Sequence, residues 1–322
     1  MSDTAASLRR KIVGAGDLES VVRTMKAMAA SSIGQYENAV RALDDYYWTV
    51  QLGLAASFRQ GTSAIASTRV SQKEVVTIGA VVFGSDQGLV GQFNDAMADF
   101  VVQTLDTLPG KKTVWAVGER IQSRFADTGL LAKEGFGLPN SISAITPLVS
   151  QILIEMESQR KKGAVKQVYL FHNRPKSGAI YTPVVQRLLP LDELWRHDLE
   201  AIRWPTNNLP EVMNGGEQTL LALVREYLFV SIFRACAESL ASENASRLAA
   251  MQRAEKNIDE LLEDLNRTFH RLRQSDIDEE LFDVVSGFEA LVGARKRPQE
   301  STGAQQQGNR YNLDLVRHVR DE

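Results

Sequence analysis

Two stretches at opposite ends of this chain are too long and too regularly apolar to fold separately on a compact core. In the first, apolar or small residues recur at Leu8, Ile12, Ala15, Leu18, Val22, Met25, Ala29, Ile33, Tyr36, Val40, Leu43, Tyr47, Val50 and Leu54. The mean step is about 3.5 residues, the spacing of a coiled coil rather than the 3.6 of a straight helix. At about 1.5 Å per residue such a helix runs roughly 80 Å and requires a partner of similar length. Gly14 and Gly16 are its weak point, because glycine lowers helix propensity.

The other end supplies the partner. From Glu217 to Val292 there is no proline, and Gly287 is the only glycine. One stripe carries Leu221, Val224, Leu228, Ile232, Ala235, Ser239 and Ser242. A later one carries Ile258, Leu262, Leu265, Phe269 and Leu272, then Leu281, Val284, Phe288 and Leu291. Between them lie Ala241, Ala245, Ala249 and Ala250, small enough to let two helix backbones approach closely. The register slips near Asp276–Ile277, which predicts a local adjustment there.

The middle changes character. Val75–Phe83 reads as a buried strand ending in a glycine-rich turn, followed by a helix over 92–106 and a strand at Thr113–Val117. A helix near Glu119–Phe125, a helix over Ile145–Arg160 and strands at Val165–His172 and Ile180–Leu188 follow. The last two strands are expected to be antiparallel, joined by a turn at Asn173–Gly178. Alternating strands and helices predict a mainly parallel α/β layer of Rossmann-like type. The expected organisation is a coiled-coil helix over 1–60, an inserted α/β domain over 70–205 and a second coiled-coil helix over 210–293. The polar stretch 294–322, rich in Gln, Gly and Ser, is expected to be disordered, with Tyr311–Arg320 apolar enough to dock instead.

Composition excludes several functions. A net charge of −3 lacks the basic surplus of a nucleic-acid binder. The single cysteine, Cys236, permits neither an internal disulfide nor a cysteine-based metal site and reads as a buried small hydrophobe. The start of the chain lacks the apolar core of a signal peptide. The most apolar helical window, Leu220–Ala237, is interrupted by Arg225, Glu226 and Arg234, so no membrane insertion is expected. The histidines His172, His197, His270 and His318 have no ligand spacing, and no catalytic, metal or cofactor residue is expected.

The turn Gly84-Ser85-Asp86-Gln87-Gly88-Leu89-Val90-Gly91 admits two readings. A glycine-rich strand-to-helix turn can cradle a phosphate, but the glycine spacing fits neither dinucleotide nor P-loop fingerprints, which favours a structural turn. Arg9, Arg10, Lys11, Arg23 and Lys26 make the first helix basic at its start, as a solvated face or as a collar for acidic partner loops.

Leu8-Arg9-Arg10-Lys11-Ile12 followed by Thr24–Ser31 resembles the opening helix of ATP synthase gamma subunits. Ser239–Met251, then Arg273-Gln274, Ile277, Glu280-Leu281 and Val285-Ser286-Gly287, are similar to that family's C-terminal stretch, in order and spacing. Ser85–Gly91 is similar to its Ser-Asp-Arg-Gly-Leu-Cys-Gly turn, so the resemblance spans about residues 5–293. It implies a non-catalytic central-stalk rotor with alpha, beta and epsilon subunits and a membrane c ring as partners. The expected location is peripheral, on the cytoplasmic face of the bacterial inner membrane.

Carried over by position, Met25 and Lys26 would lie against Arg273, Gln274, Asp278 and Glu280, where the catalytic hexamer grips the shaft. Phe288–Gly293 would turn in the sleeve of the hexamer, and Arg203 and Trp204 would form the foot near the c ring. Ser32 stands where a basic residue is common, and the acidic foot residue of some members has no counterpart beside Trp204-Pro205. The paired cysteines of the chloroplast type are missing, and the tail past Gly293 is longer than usual. These departures fit a divergent or alternative form of the enzyme, with H⁺ or Na⁺ as coupling ion. Two other classes compete: a nucleotide- or flavin-binding enzyme dimerising through its helical ends, and a coiled-coil scaffold pairing between chains.

Overall fold

The computed structural model describes residues 4–59, 77–128, 130, 132–163, 165–176, 179–208, 210–211 and 216–295. The expected tail over 294–322 lies almost wholly outside them. The chain ends are the long helices α1 (Ala5–Arg59) and α6 (Gly216–Arg295). Between them come β1 (Thr77–Phe83), α2 (Phe93–Asp106), β2 (Lys111–Val117), α3 (Glu119–Thr128) and β3 (Ala132–Phe136). Then follow a 3₁₀ turn (Ile142–Ala144), α4 (Ile145–Lys161), β4 (Gln167–Lys176), β5 (Ala179–Leu189) and α5 (Glu193–Glu200). Gly14 and Gly16 do not interrupt α1, and α6 passes Asp276–Ile277 without a break. The adjustment expected there is not made.

The chain divides into two compact units, residues 12–263 and the combination of 1–11 with 264–322. In the first, α1 and α6 run antiparallel. Lys26 meets Glu255, Asp44 meets Arg234, Tyr46 meets Glu226 and Gly53 lies under Leu223, so one number falls as the other rises. The sheet has the order β3-β2-β1-β4-β5, parallel except for the antiparallel β4–β5 pair.

The period of two along β1 sorts the core. Ile78, Ala80 and Val82 pack with Met97, Val101 and Leu105 of α2 and Ile121 and Phe125 of α3. Val81 and Phe83 point the other way, into a cluster with Val149, Ile152 and Met156 of α4, Ile232, Cys236 and Leu240 of α6 and Tyr36 of α1. Part of α6 is therefore roofed by the sheet as well as by α1. Its small residues Ala235, Ala237 and Ala241 are buried in that cluster and are not confined to a helix–helix seam. A third cluster, with Val50, Leu54 and Phe58 of α1, Leu199 near the end of α5, and Leu220 and Tyr227 of α6, closes the far end of the helix pair.

In the other unit, Leu8 is buried, and Leu265, Phe269 and Leu272 are half-buried. From Arg273 to Leu291 every residue of α6 is exposed.

Candidate functional site: the helix pair and its anchorage on the sheet

The glycine-rich turn after β1 is filled by its own polar groups. Gly84 N–H donates to the Val117 carbonyl at 2.9 Å, and Ser85 N–H donates to Asn94 Oδ1 at 2.9 Å. Asn94 Nδ2 donates to Ser85 Oγ at 2.8 Å, and that hydroxyl donates to the Gln87 carbonyl at 2.9 Å. The Asp86 carboxylate accepts from Glu119 N–H at 3.0 Å and Leu138 N–H at 3.1 Å, so it already holds the anion position at the start of α3. A hollow of about 310 Å³ beside the turn contains Arg120 and Arg124, but Asp95 pairs with Arg124. Gly84 is required by close approach, since a Cβ there would lie 2.3 Å from Ile121 Cβ. Gly91 is required by its positive φ of 59°. The arrangement is that of a structural turn.

The turn and the strand ends are stapled to α6 at intervals of four residues, one face of a helix. Ser246 Oγ donates to the Val90 carbonyl at 2.6 Å, and Ser242 Oγ donates to the Asn173 carbonyl at 3.0 Å. Glu238, one turn earlier, accepts from His172 Nε2 at 2.7 Å and Arg174 Nε at 2.8 Å, both on β4. Its other oxygen accepts from Arg234 Nε at 2.9 Å, and Arg234 reaches Asp44 of α1 at 3.2 Å.

The Glu238 side chain is 4% exposed. Burial opposes its charge, yet the bonds from His172 and Arg174 outweigh that and hold its pKa down at about 2. His172 is pushed the other way from an ordinary histidine: burial lowers its pKa against the pull of Glu238. The imidazole donates to Glu238 through Nε2, and its buried Nδ1 has no hydrogen-bond partner. Burial also raises the pKa values of Cys236 and Glu243, the latter against its pairing with Arg247 at 2.6 Å. Cys236 is thus a buried, inert thiol.

The residues singled out in the sequence fall in three places. Met25 and Lys26 are half-buried on α1, and the Lys26 ammonium lies 2.6 Å from Glu255 Oε2, with Arg23 Nε at 3.3 Å from Oε1. The register of the two helices thus gives Lys26 a different partner from the expected Arg273–Glu280 stretch. Arg273, Gln274, Asp278 and Glu280 are exposed on α6, as are Ile277, Leu281, Phe282, Val284, Phe288 and Leu291 beside them. Arg203 and Trp204 follow α5; Trp204 Nε1 donates to Thr206 Oγ1 at 3.1 Å, and Arg59 donates to the carbonyls of Glu200 and Ile202 just before them. Sequence reasoning missed Glu238. The available signal was a lone carboxylate in the apolar run from Ile232 to Leu240.

A family model described as ATP synthase matches residues 4–291. The chain is 27% identical over 291 residues to the ATP synthase gamma chain of Glaesserella parasuis, covering 89% of this chain and 99% of that one. It is 26% identical over 296 residues to that of Brevibacillus brevis, covering 90% and 99%. Its fold is similar to a chain of the Euglena gracilis mitochondrial ATP synthase, in an OSCP/F1/c-ring assembly in rotational state 3. That match has a TM-score of 0.63 at 16% identity and covers 94% of this chain and 99% of that one. A chain of the Tetrahymena thermophila mitochondrial ATP synthase central stalk and c-ring matches with a TM-score of 0.52 at 22% identity, covering 73% and 99%.

Proposed function

The chain belongs to the gamma-chain family of ATP synthases, and on that premise we propose that it is the rotating, non-catalytic shaft of an F-type enzyme. Its α1–α6 pair stands inside the alpha/beta hexamer, and its sheet domain sits beside epsilon and on the c ring. Ion flow through that ring turns the shaft, and the shaft drives ATP synthesis, or the reverse. The complex lies on the cytoplasmic face of the bacterial inner membrane, with this chain attached only through its partners. Among the described residues no helix is long and apolar enough to cross a membrane.

One observation carries this reading: α6 continues as helix through Arg273–Leu291 with every side chain exposed, including Phe282, Phe288 and Leu291. An apolar helical face left uncovered over that length fits a sleeve supplied by other subunits. Phe288 and Leu291 turn within that sleeve. Arg273, Gln274, Asp278 and Glu280 on α6, and Met25 and Lys26 on α1, meet the gripping loops of beta. Arg203 and Trp204 stand at the foot.

Mechanism follows from shape. An asymmetric shaft presents different side chains to each beta subunit, and it shifts a site only by the difference in its contact energy between open and closed states. A difference of about 1.4 kcal/mol changes that equilibrium tenfold. Rotation presents the same difference to each site in turn.

The test is single-molecule rotation with the hexamer fixed to a surface and a probe on the sheet domain. Stepwise rotation on addition of ATP is expected, with alpha, beta and epsilon copurifying. A complex that hydrolyses ATP while this chain stays still would overturn the proposal.

A further inference from the structure

Glu238 stands where the helix pair meets the sheet, and its two oxygens divide their partners between elements. Oε2 takes His172 Nε2 and Arg174 Nε from β4, while Oε1 takes Arg234 Nε from α6 itself. Arg234 passes the connection on to Asp44 of α1 at 3.2 Å. One buried carboxylate thus links the sheet, the long helix and the paired helix in an unbroken chain of charge-assisted bonds.

The surroundings of this carboxylate give it an uncommon mechanical position. On α6 most of its buried neighbours are small, Ala235, Cys236, Ala237 and Ala241, and Ile232 and Leu240 are the larger members of the same cluster. Dispersion and hydrophobic burial hold such surfaces together but resist sliding weakly, because they are not directional. Charge-assisted hydrogen bonds are directional. A buried ion network is also a poor source of net stability, since desolvation cancels much of its attraction. Specifying one register between α6 and β4 accounts for its geometry better than stabilising the fold does.

We infer that Glu238 is the pin that fixes the angular register of the helix pair on the sheet domain and carries torque between them. It is a positioning residue and touches no substrate. The inference rests on the rotor reading above.

In the assembled complex, with the hexamer held and a probe on the sheet domain, Glu238→Gln keeps the shape of the side chain and removes its charge. The thermal angular spread of the stalled probe should widen about twofold or more, as directional bonds are replaced by weaker ones. Ions pumped per ATP hydrolysed should fall under load, while unloaded hydrolysis stays within about twofold of wild type, since no reacting group is touched. A purely structural role would lower yield and thermal midpoint but leave the spread of assembled molecules unchanged; an unchanged spread overturns the inference. Should that variant fail to assemble, Arg174→Gln and Asp44→Asn each remove one link from a partly exposed position and should widen the spread less. A wild-type spread in both also overturns it. If the wild-type chain itself never rotates, the rotor reading falls first, and this is distinguished from a failed pin by the control alone.

Discussion

Lys26 of α1 and Glu255 of α6, 229 positions apart in the chain, meet at 2.6 Å across the helix pair. Arg23 supports the same carboxylate from the preceding turn of α1, at 3.3 Å. Both cations pull the Glu255 pKa below its ordinary range, Lys26 the more strongly. The pair is partly exposed and screened by solvent, so its role is to mark register more than to supply stability. Lys26→Glu places two carboxylates face to face. Its thermal midpoint should fall at low ionic strength, recover in high salt, and be restored by adding Glu255→Lys. A midpoint insensitive to salt in the single variant would show that the helices pair in another register.

Leu54 is fully buried among Phe58, Leu199, Leu220 and Tyr227, where α1, α5 and α6 converge. Truncation to alanine leaves a cavity that several elements must relax to fill. Leu54→Ala should cost about 2–5 kcal/mol in urea unfolding. Leu18→Ala, at a position 59% exposed, should be close to neutral. Equal losses at the two sites would contradict the packing described.

That contrast also shows how much could be read from the residues alone. The 3.5-residue stripe of α1 marks the inward face at every position except Leu18, where half-buried Glu19 takes its place. On α6 the inward stripe begins one residue before the expected Leu221: Leu220 is buried and Leu221 is 47% exposed. The parallel strands announced themselves because both faces are covered and their residues are continuously apolar. β3 did not, since Ala132–Phe136 is a short edge strand containing Lys133 and Glu134. Helix α5 has a start signal legible in the sequence, Asp192, whose side chain accepts from Trp195 N–H at 3.1 Å. The expected turn at Asn173–Gly178 gives way to strand as far as Lys176: Asn173, Arg174 and Lys176 pair with β5, and Pro175 falls at the irregularity where the register shifts. Glu238 was hidden for a different reason. A carboxylate on a long helix reads as solvated until a second element is known to cover it.

Glu238 also makes stability depend on pH in a definite direction. Its folded pKa of about 2 lies below the ordinary 4.5, so the ionised form is favoured by folding. Its contribution is complete above about pH 4.5 and is lost as pH falls toward 2. His172, lowered from 6.5 by burial, adds a second loss that begins as pH drops below that value, because the unfolded imidazole takes up a proton more readily. Denaturant unfolding between pH 7 and 3 should show both. His172→Gln should remove the upper part of the slope, and Glu238→Gln the lower part. A wild-type slope in both variants would mean that these groups are not held as described.

The turn after β1 separates the rotor reading from a nucleotide-binding one. Gly84→Ala would force a Cβ against Ile121, and Gly91→Ala would place a side chain at a φ of 59°. The first should severely reduce soluble yield. The second should cost about 1 kcal/mol, the usual penalty for a left-handed residue with a Cβ. Titration of the wild-type chain with ATP in a calorimeter should give no heat of binding, because Asn94 already takes the Ser85 N–H and the Asp86 carboxylate already takes the Glu119 and Leu138 N–H groups beside the turn. Saturable binding abolished by Gly91→Ala would favour the enzyme reading.

Arg273 and Gln274 test the outer end of α6. Both are exposed, and surface substitutions away from packed features usually change stability by about 0.5 kcal/mol or less. Replacing both with alanine should therefore leave the helix content and thermal midpoint of the chain unaltered. In the assembled complex the same variant loses side chains that the proposed mechanism uses to distinguish open from closed beta sites. A loss of about 1–2 kcal/mol of that differential contact corresponds to a roughly five- to thirtyfold fall in coupled turnover. Full wild-type ATP hydrolysis and pumping in the double variant would remove these two residues from the grip. The exposed apolar face at Phe282, Phe288 and Leu291 would then be left as the surface through which the hexamer holds the shaft.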